Sequence, residues 1–239
     1  MDNNMKKVFL LGAMVCALGM MFEACTEKDN GGSNEPTPTP TDTVKWVDLG
    51  LPSGLLWAEC NLGASSPEKY GNYYAWGETQ PKEYYFWNTY CYCTLDNAGV
   101  FQTLTKYNTL ESYGTVDNLT TLQAIDDAAT ATLGDGARTP TMTEWEELIA
   151  NTAAEWTTQN DVNGYLFTAV NGNTLFLPAA GIRWSEELRG EGTNGCYLSS
   201  SLCPELPYQD NTFRFYSEDC FLYYDNRCNG FSVRAVRAK

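Results

Sequence analysis

The chain has 239 residues, with 30 Asp and Glu against 15 Lys and Arg, a formal charge of −15, and no histidine. That length accommodates one large domain or two small ones, and 43% hydrophobic with only 19% charged residues describes a folded globule, not an acidic disordered chain. Without histidine there is no Ser-His-Asp or Cys-His catalysis, no HExxH site and no His-ligated zinc or haem. The acid excess speaks against nucleic-acid backbones as partners, because these call for clustered Lys and Arg.

Residues 1–24 read as a targeting segment. Lys6 and Lys7 form a short basic start, and an apolar run of 15 residues follows from Val8 to Phe22. At 1.5 Å per residue that run reaches only about 22 Å, short of a hydrocarbon core of about 30 Å. It is a signal-peptide core and not a membrane span. Phe22-Glu-Ala-Cys25 resembles a bacterial lipobox, in which a small residue precedes the cysteine that becomes the lipidated N-terminus. Cys25 is therefore the expected lipidation site and outer-membrane anchor, with an ordinary secretory signal cleaved after Ala24 as the alternative.

Residues 25–43 continue as a tether. Thr26 to Thr43 carries no large apolar residue, a Gly-Gly-Ser patch and an alternating Thr-Pro run, so it buries nothing, and its prolines hold it extended. Lys6 and Lys7 cancel Asp2 and Glu23, so the exported part keeps the full −15.

From Val44 to Lys239 no second linker, low-complexity run or repeat interrupts the chain, and one domain is expected over 44–239. Short β signals dominate it: Trp46–Leu51, Leu55–Asn61, Tyr73–Trp76, Tyr165–Val170, Thr174–Leu177, Tyr197–Ser200, Thr212–Tyr216, Phe221–Tyr224 and Phe231–Val236. Asn171-Gly172 between two apolar runs predicts a hairpin. Thr141-Met-Thr-Glu144 is a capping box, followed by Trp145, Leu148 and Ile149 at helical spacing with Met142 on the same face. A second, shorter helix is expected near Asp126-Asp127, running through Ala128, Ala129, Ala131 and Leu133 behind an acidic first turn. Irregular stretches rich in Tyr, Gly and Asn fill Tyr84–Tyr113 and Trp184–Gly195. The class is α+β.

The order of motifs resembles a known family. Val47-Asp-Leu-Gly-Leu-Pro-Ser-Gly54, Leu56-Trp-Ala58, Cys60-Asn-Leu-Gly-Ala64, Tyr70-Gly71 and Tyr74-Ala-Trp-Gly-Glu-Thr79 form a first block. Asp127-Ala-Ala-Thr130, Arg138-Thr-Pro-Thr141 with Glu144, and Asn163-Gly-Tyr165 form a second. Phe176-Leu-Pro-Ala-Ala-Gly-Ile-Arg183, Tyr197-Leu-Ser-Ser-Ser201 and Ser232-Val-Arg-Ala-Val-Arg237 complete the series. This resembles the Fibrobacter succinogenes major paralogous domain, abundant in surface lipoproteins of Bacteroidetes, across almost all of Trp46 to Arg237. The acidic Glu27-Lys-Asp29 after the lipobox likewise resembles the export signal of such lipoproteins, which implies display on the cell exterior; the periplasmic face is the alternative. The family is similar in turn to the formylglycine-generating-enzyme and C-type-lectin-like fold, which implies an antiparallel sheet core, two short helices and long irregular loops. Arg138, Thr141, Glu144, Arg183 and Arg234 fall in its motifs as structural residues, the arginines making internal charge-assisted hydrogen bonds.

Candidate chemistry is sparse. Beyond the leader and Cys25 stand Cys60, Cys91, Cys93, Cys196, Cys203, Cys220 and Cys228. Their odd number leaves at least one thiol unpaired, their connectivity is open, and their spacings fit no zinc pattern, so no metal ligand is assigned. Cys220 and Cys228 are the pair to compare with the cysteines of formylglycine-generating enzymes, but an intervening strand would hold them too far apart to bridge unless Asp225-Asn-Arg turns the chain back. No cofactor is implied apart from calcium as a candidate, through the oxygens of Asn160-Asp-Val-Asn163, Asp210-Asn211 or Asp225-Asn226. Glu146-Glu147 and Glu186-Glu187 could suggest glycoside hydrolysis, though adjacency in sequence does not supply its geometry, and Glu146-Glu147 is expected on the solvent face of its helix.

The aromatic residues are more informative: 15 Tyr, 10 Phe and 7 Trp, of which only Phe9 and Phe22 lie in the leader. Tyr, Asn, Ser and Gly in loops compose surfaces that bind with rigid rings at low entropy cost. Trp184, Tyr208, Tyr223 and Tyr224 lie where the lectin-like fold would place its ligand loops. The expected function is a surface lipoprotein that binds a glycan or protein without catalysis. An enzyme, either a formylglycine-type oxidase or a glycan-processing component, and a structural subunit of a surface appendage or uptake complex are the alternatives.

Overall fold

The computed structural model describes residues 44–96, 102–134 and 136–239. The signal segment, Cys25 and the tether of residues 25–43 lie outside the described residues. In chain order the strands and helices run β1 Trp46–Asp48, β2 Leu56–Ala58, β3 Tyr73–Tyr74, β4 Cys93–Leu95, β5 Gln102–Leu104, α1 Ala128–Leu133 and α2 Met142–Asn151. They continue with β6 Thr152–Gln159, β7 Val162–Ala169, β8 Thr174–Pro178, β9 Ile182–Trp184 and β10 Glu187–Arg189. The last are β11 Asn194–Leu202, β12 Gln209–Tyr216, β13 Cys220–Asn226, β14 Phe231–Ser232 and β15 Val236–Arg237. Strands take 40% and helices 13%, and the sheets are mostly antiparallel. The molecule is thus β-rich with two short helices.

The largest sheet has the order β13-β12-β11-β14-β3, with β11 and β14 its one parallel neighbour pair. Smaller sheets join β1-β2-β15 and β6-β7-β8, and hairpins pair β4 with β5 and β9 with β10. Phe213 and Phe215 point to one face of the large sheet; α2 packs on Phe213, and Trp156 and Tyr165 pack on Phe215. Trp145 of α2 stacks on Phe213 at 4.7 Å, tilts against Trp57 at 4.9 Å, and donates its indole N–H to the Leu198 carbonyl at 3.1 Å. Burying rings this large supplies much of the driving force for the sheet–helix layer.

The local signals account for these elements unevenly. Thr141 and Glu144 form the reciprocal capping box, Trp145 and Leu148 are buried, and Met142 and Ile149 are half-buried, as a helix with one apolar face requires. Asp127 caps α1 by accepting from the Ala129 and Thr130 amides, but Asp126 does not serve its first turn. It lies in the preceding turn and accepts hydrogen bonds from Tyr92, Lys106 and Tyr107, each at 2.5 Å. Asn171-Gly172 does close the β7–β8 hairpin. Only Gly172 takes positive φ, at 85°, and the Gly172 amide donates to the Ala169 carbonyl, so the connection is a turn completed by a glycine bulge.

Three expectations are corrected. The run Phe231–Val236 is not one strand: β14 and β15 separate around Arg234, whose side chain turns into the core. The stretch Trp184–Gly195 is not all loop, since β9 and β10 pair Trp184 with Glu187 across a two-residue turn. β6 follows α2 without a break and was not anticipated; Asn160 and Asp161, at φ 47° and 63°, turn it into β7.

Candidate functional site

The aromatic residues of the β12–β13 hairpin form a strip. Phe221 contacts Tyr216 on one side, with near-parallel rings at 6.1 Å, and Tyr223 on the other at 6.2 Å. Tyr223 stacks on Tyr224 at 5.0 Å with only 7° between the ring planes. Tyr216, Tyr223 and Tyr224 remain 38%, 43% and 45% exposed. Rings that pack mainly on one another while exposed to water form an apolar surface available to a ligand. β13 pairs only with β12 among the described residues, so this strip follows a sheet edge.

Its support is polar and fixed. The Arg214 guanidinium lies 5.0 Å from the Tyr223 ring centre and pairs with Asp225 at 2.5 Å. Asp225 also accepts from the Asn226 amide and the Asn229 side chain. Opposite Asp225 in register is Asp210, fully buried, with neither carboxyl oxygen bonded to a protein donor. Burial, reinforced by the charge of Asp225, pushes the Asp210 carboxyl well above the ordinary carboxylate range.

The four aromatic residues singled out from sequence do not share one surface. Tyr223 and Tyr224 belong to the strip. Tyr208 is half-buried, packs on Tyr113 at 5.3 Å and sits against the cluster around Tyr85 and Trp87. Trp184 is 38% exposed, but the Arg189 guanidinium covers its ring at 3.6 Å and is itself paired with Glu187. Among the described residues no ring contact links Trp184 or Tyr208 to the strip. Sequence reasoning missed Tyr216 and Phe221, although alternating aromatic residues on either side of the Ser217–Asp219 turn were a signal for them.

The motif arginines divide as well. Arg234 is fully buried and donates to Asn61 Oδ1 at 2.7 and 3.0 Å and to the carbonyls of Ala58, Glu59 and Phe176. Arg138 makes a bidentate pair with Glu144, at 2.7 and 2.5 Å, within the capping box that Thr141 opens. Arg183 makes one such internal bond, at 3.3 Å to the Glu186 carbonyl, lies 5.5 Å from the centre of the Tyr73 ring, and borders a cleft. A further fully buried arginine, Arg227, was not singled out. It donates to Tyr90 Oη and the carbonyls of Tyr107, Pro207 and Lys106, inside a box of Trp76, Tyr90 and Tyr107.

Among the described residues the cysteines offer no poised thiolate. Cys60, Cys91, Cys93, Cys196, Cys203, Cys220 and Cys228 are all free. Burial raises every one of them, Cys91 and Cys196 to about 12. Cys220 opens β13 and Cys228 lies two residues past its end, with no turn back at Asp225, so roughly 20 Å of strand separates them.

The acidic turns are likewise engaged. Asn160-Asp161 is the β6–β7 turn, Asp210 is inside the sheet, and Asp225 is bound to Arg214. Among the described residues no group of three or more His, Cys, Asp or Glu is placed to hold a metal ion. Glu147 is not simply on the solvent face of α2, since it accepts from the Ser53 amide and hydroxyl at 2.7 and 2.6 Å, whereas Glu146 is exposed.

Compared with family models, curated proteins and solved structures, the chain matches none.

Proposed function

We propose that this protein is a lipoprotein anchored through Cys25 to the outer membrane and facing the cell exterior, and that its domain binds an uncharged glycan without catalysis. The observation that carries this reading is the Tyr216–Phe221–Tyr223–Tyr224 strip: four rings in consecutive contact along an open sheet edge, three of them substantially exposed. Such rings offer apolar faces for the C–H surfaces of sugar rings, and tyrosine hydroxyls for hydrogen bonds at the rim. The Arg214–Asp225 pair beneath Tyr223 holds the platform in place before a ligand arrives. A charge of −15 favours a neutral polymer over an anionic one. The C-type-lectin-like fold and the major paralogous domain family remain part of this reading, and what they call for at the coarse level is the β-rich architecture with two short helices.

A glycan array with the lipid-free exported chain tests the reading. Tyr223→Ala combined with Tyr224→Ala is expected to lower affinity by about tenfold or more, while Tyr208→Ala, which touches a packed ring, leaves the glycan preference unchanged. Undiminished binding by a folded double variant would refute it. Anchoring is tested by palmitate labelling, which Cys25→Ala and globomycin should both abolish. A second reading, addition of a strand from a protein partner to β13, is favoured by the open edge of that strand. It predicts that proline at an outward-bonding β13 position blocks binding while ring truncation does not.

A further inference from the structure

We propose that the cleft beneath the β9–β10 turn is a second and separate carbohydrate site, which takes an uncharged sugar unit by its hydroxyl groups. The cleft encloses about 650 Å³, within the usual range for small-ligand sites, and Tyr73, Glu83, Tyr84, Tyr85, Arg183 and Glu186 contribute to its walls.

The turn that forms its rim is strained and pinned. Ser185 adopts φ 58°, unusual for a residue other than glycine, and exchanges two backbone hydrogen bonds with Tyr85, at 3.0 and 2.9 Å. Tyr85 is fixed in its turn: its hydroxyl donates to the Tyr73 carbonyl at 2.5 Å and accepts from the Lys82 amide at 3.1 Å. Arg183 exchanges two backbone bonds with Gly230, both 2.8 Å. A Cβ at Gly230 would lie 2.7 Å from the Tyr85 ring and 2.8 Å from Arg183 Cβ, so only glycine lets these two walls approach. Pinning a strained turn in this way positions Arg183 and Glu186 before any ligand binds.

The unused polar groups identify the ligand. The Arg183 guanidinium lies 5.5 Å from the centre of the Tyr73 ring, and of its five N–H donors it uses one, to the Glu186 carbonyl. Glu83 and Glu186 are exposed, and among the described residues neither carboxylate is engaged in an ion pair or hydrogen bond. Lys82 is already occupied by Glu78 at 2.7 Å and the Thr89 carbonyl at 3.0 Å. The free charges are therefore one cation and two anions, an unfavourable setting for a phosphate or a uronic acid. Hydroxyl groups both donate and accept, so neighbouring hydroxyls of a sugar can bond a carboxylate and the guanidinium together. Tyr84, half-buried at the wall, offers a ring for the apolar side of the same sugar.

This site does not depend on the strip. Tyr73 lies on β3 and three of the four strip rings on β13, the two opposite edges of the five-stranded sheet. Four strand spacings of about 4.8 Å put the edges about 19 Å apart. A glycan long enough to reach both would gain affinity by linkage.

The test is a ligand-observed NMR titration of the lipid-free exported chain with glucose, galactose, mannose and N-acetylglucosamine, using glucuronic acid and inorganic phosphate as charged comparisons. At least one neutral sugar should bind saturably. Arg183→Ala and Glu186→Gln should each weaken it by about fivefold or more, with unfolding transitions kept as evidence of folding. The titration is run in the Tyr223→Ala, Tyr224→Ala background, so that the strip contributes no signal and failure of the cleft is separated from failure of the strip. The proposal is overturned if no neutral sugar saturates, if glucuronate or phosphate binds more tightly than every neutral sugar, or if binding survives both cleft substitutions in folded protein.

Discussion

Replacing Arg234 by methionine removes a guanidinium that is fully buried and makes five hydrogen bonds to four acceptor groups. Every acceptor that touches it is a neutral oxygen. Burial consequently pulls its proton affinity below the usual guanidinium range. Methionine has a similar reach and no donors, so the volume stays filled and the loss is polar. Asn61 Oδ1 loses both of its Arg234 donors, and the carbonyls of Ala58, Glu59 and Phe176 each lose one. A stranded buried acceptor costs about 1–3 kcal/mol, and a carbonyl that keeps another partner costs less. The recovered desolvation of the charge offsets part of this. The expected net loss is about 3–4 kcal/mol, equivalent to a fall in Tm of roughly 10 °C for a domain of this size. Urea unfolding followed by tryptophan fluorescence should show a lower midpoint at an unchanged slope. Arg234→Lys should not restore stability, because an ammonium cannot satisfy acceptors spread around a planar fork. A methionine variant within about 1 kcal/mol of the parent, or a lysine variant indistinguishable from it, would refute the argument that Arg234 ties β2, β8 and the β14–β15 junction together.

Two further predictions concern pH. Burial acts to raise Asp126, but the donors from Lys106, Tyr107 and Tyr92 outweigh it and hold the carboxyl below its ordinary value. Its contribution is present above the unfolded carboxylate pKa of about 3.9 and is lost as pH falls through the lower folded value. The stability gap between the parent and Asp126→Asn should therefore close in acid, and a gap constant from neutral pH to pH 3 would count against the network. Asp210 has the opposite sign: a carboxyl raised by burial is tolerated while protonated and penalises folding as pH rises. Asp210→Asn should gain stability relative to the parent as pH increases, measured by thermal unfolding, and a pH-independent difference would be inconsistent with a buried neutral acid.

Some of this fold was legible because the determinants were local. The capping box at Thr141 and Glu144 satisfies helix amides within four residues, and the apolar spacing behind it needs only the helical period. The β7–β8 hairpin was equally readable from Asn171-Gly172. β6 was not, because Trp156 is its sole large apolar residue packed on the core and the strand is exposed at Ala153–Glu155. Without period-two burial there is no alternation to detect. The break between β14 and β15 was hidden for another reason: Arg234 leaves the sheet to bond partners as distant in sequence as Asn61 and Phe176.

The opening facts of composition meet the same boundary. From sequence alone come the charge of −15, the absence of histidine, the signal and tether patterns, the excess of strand signals and the abundance of rings, all properties of residues or short segments. Which rings face solvent is decided by tertiary structure. Tyr208 and Tyr223 look alike in sequence, yet one packs on Tyr113 and the other stands on an open edge, because strand order determines which side chains a neighbour covers. Arg183 and Arg234 likewise both occupy arginine motifs. Long-range packing surrounds Arg234 with carbonyls and leaves Arg183 facing a cleft, because hydrogen-bond satisfaction depends on what the folded chain brings near.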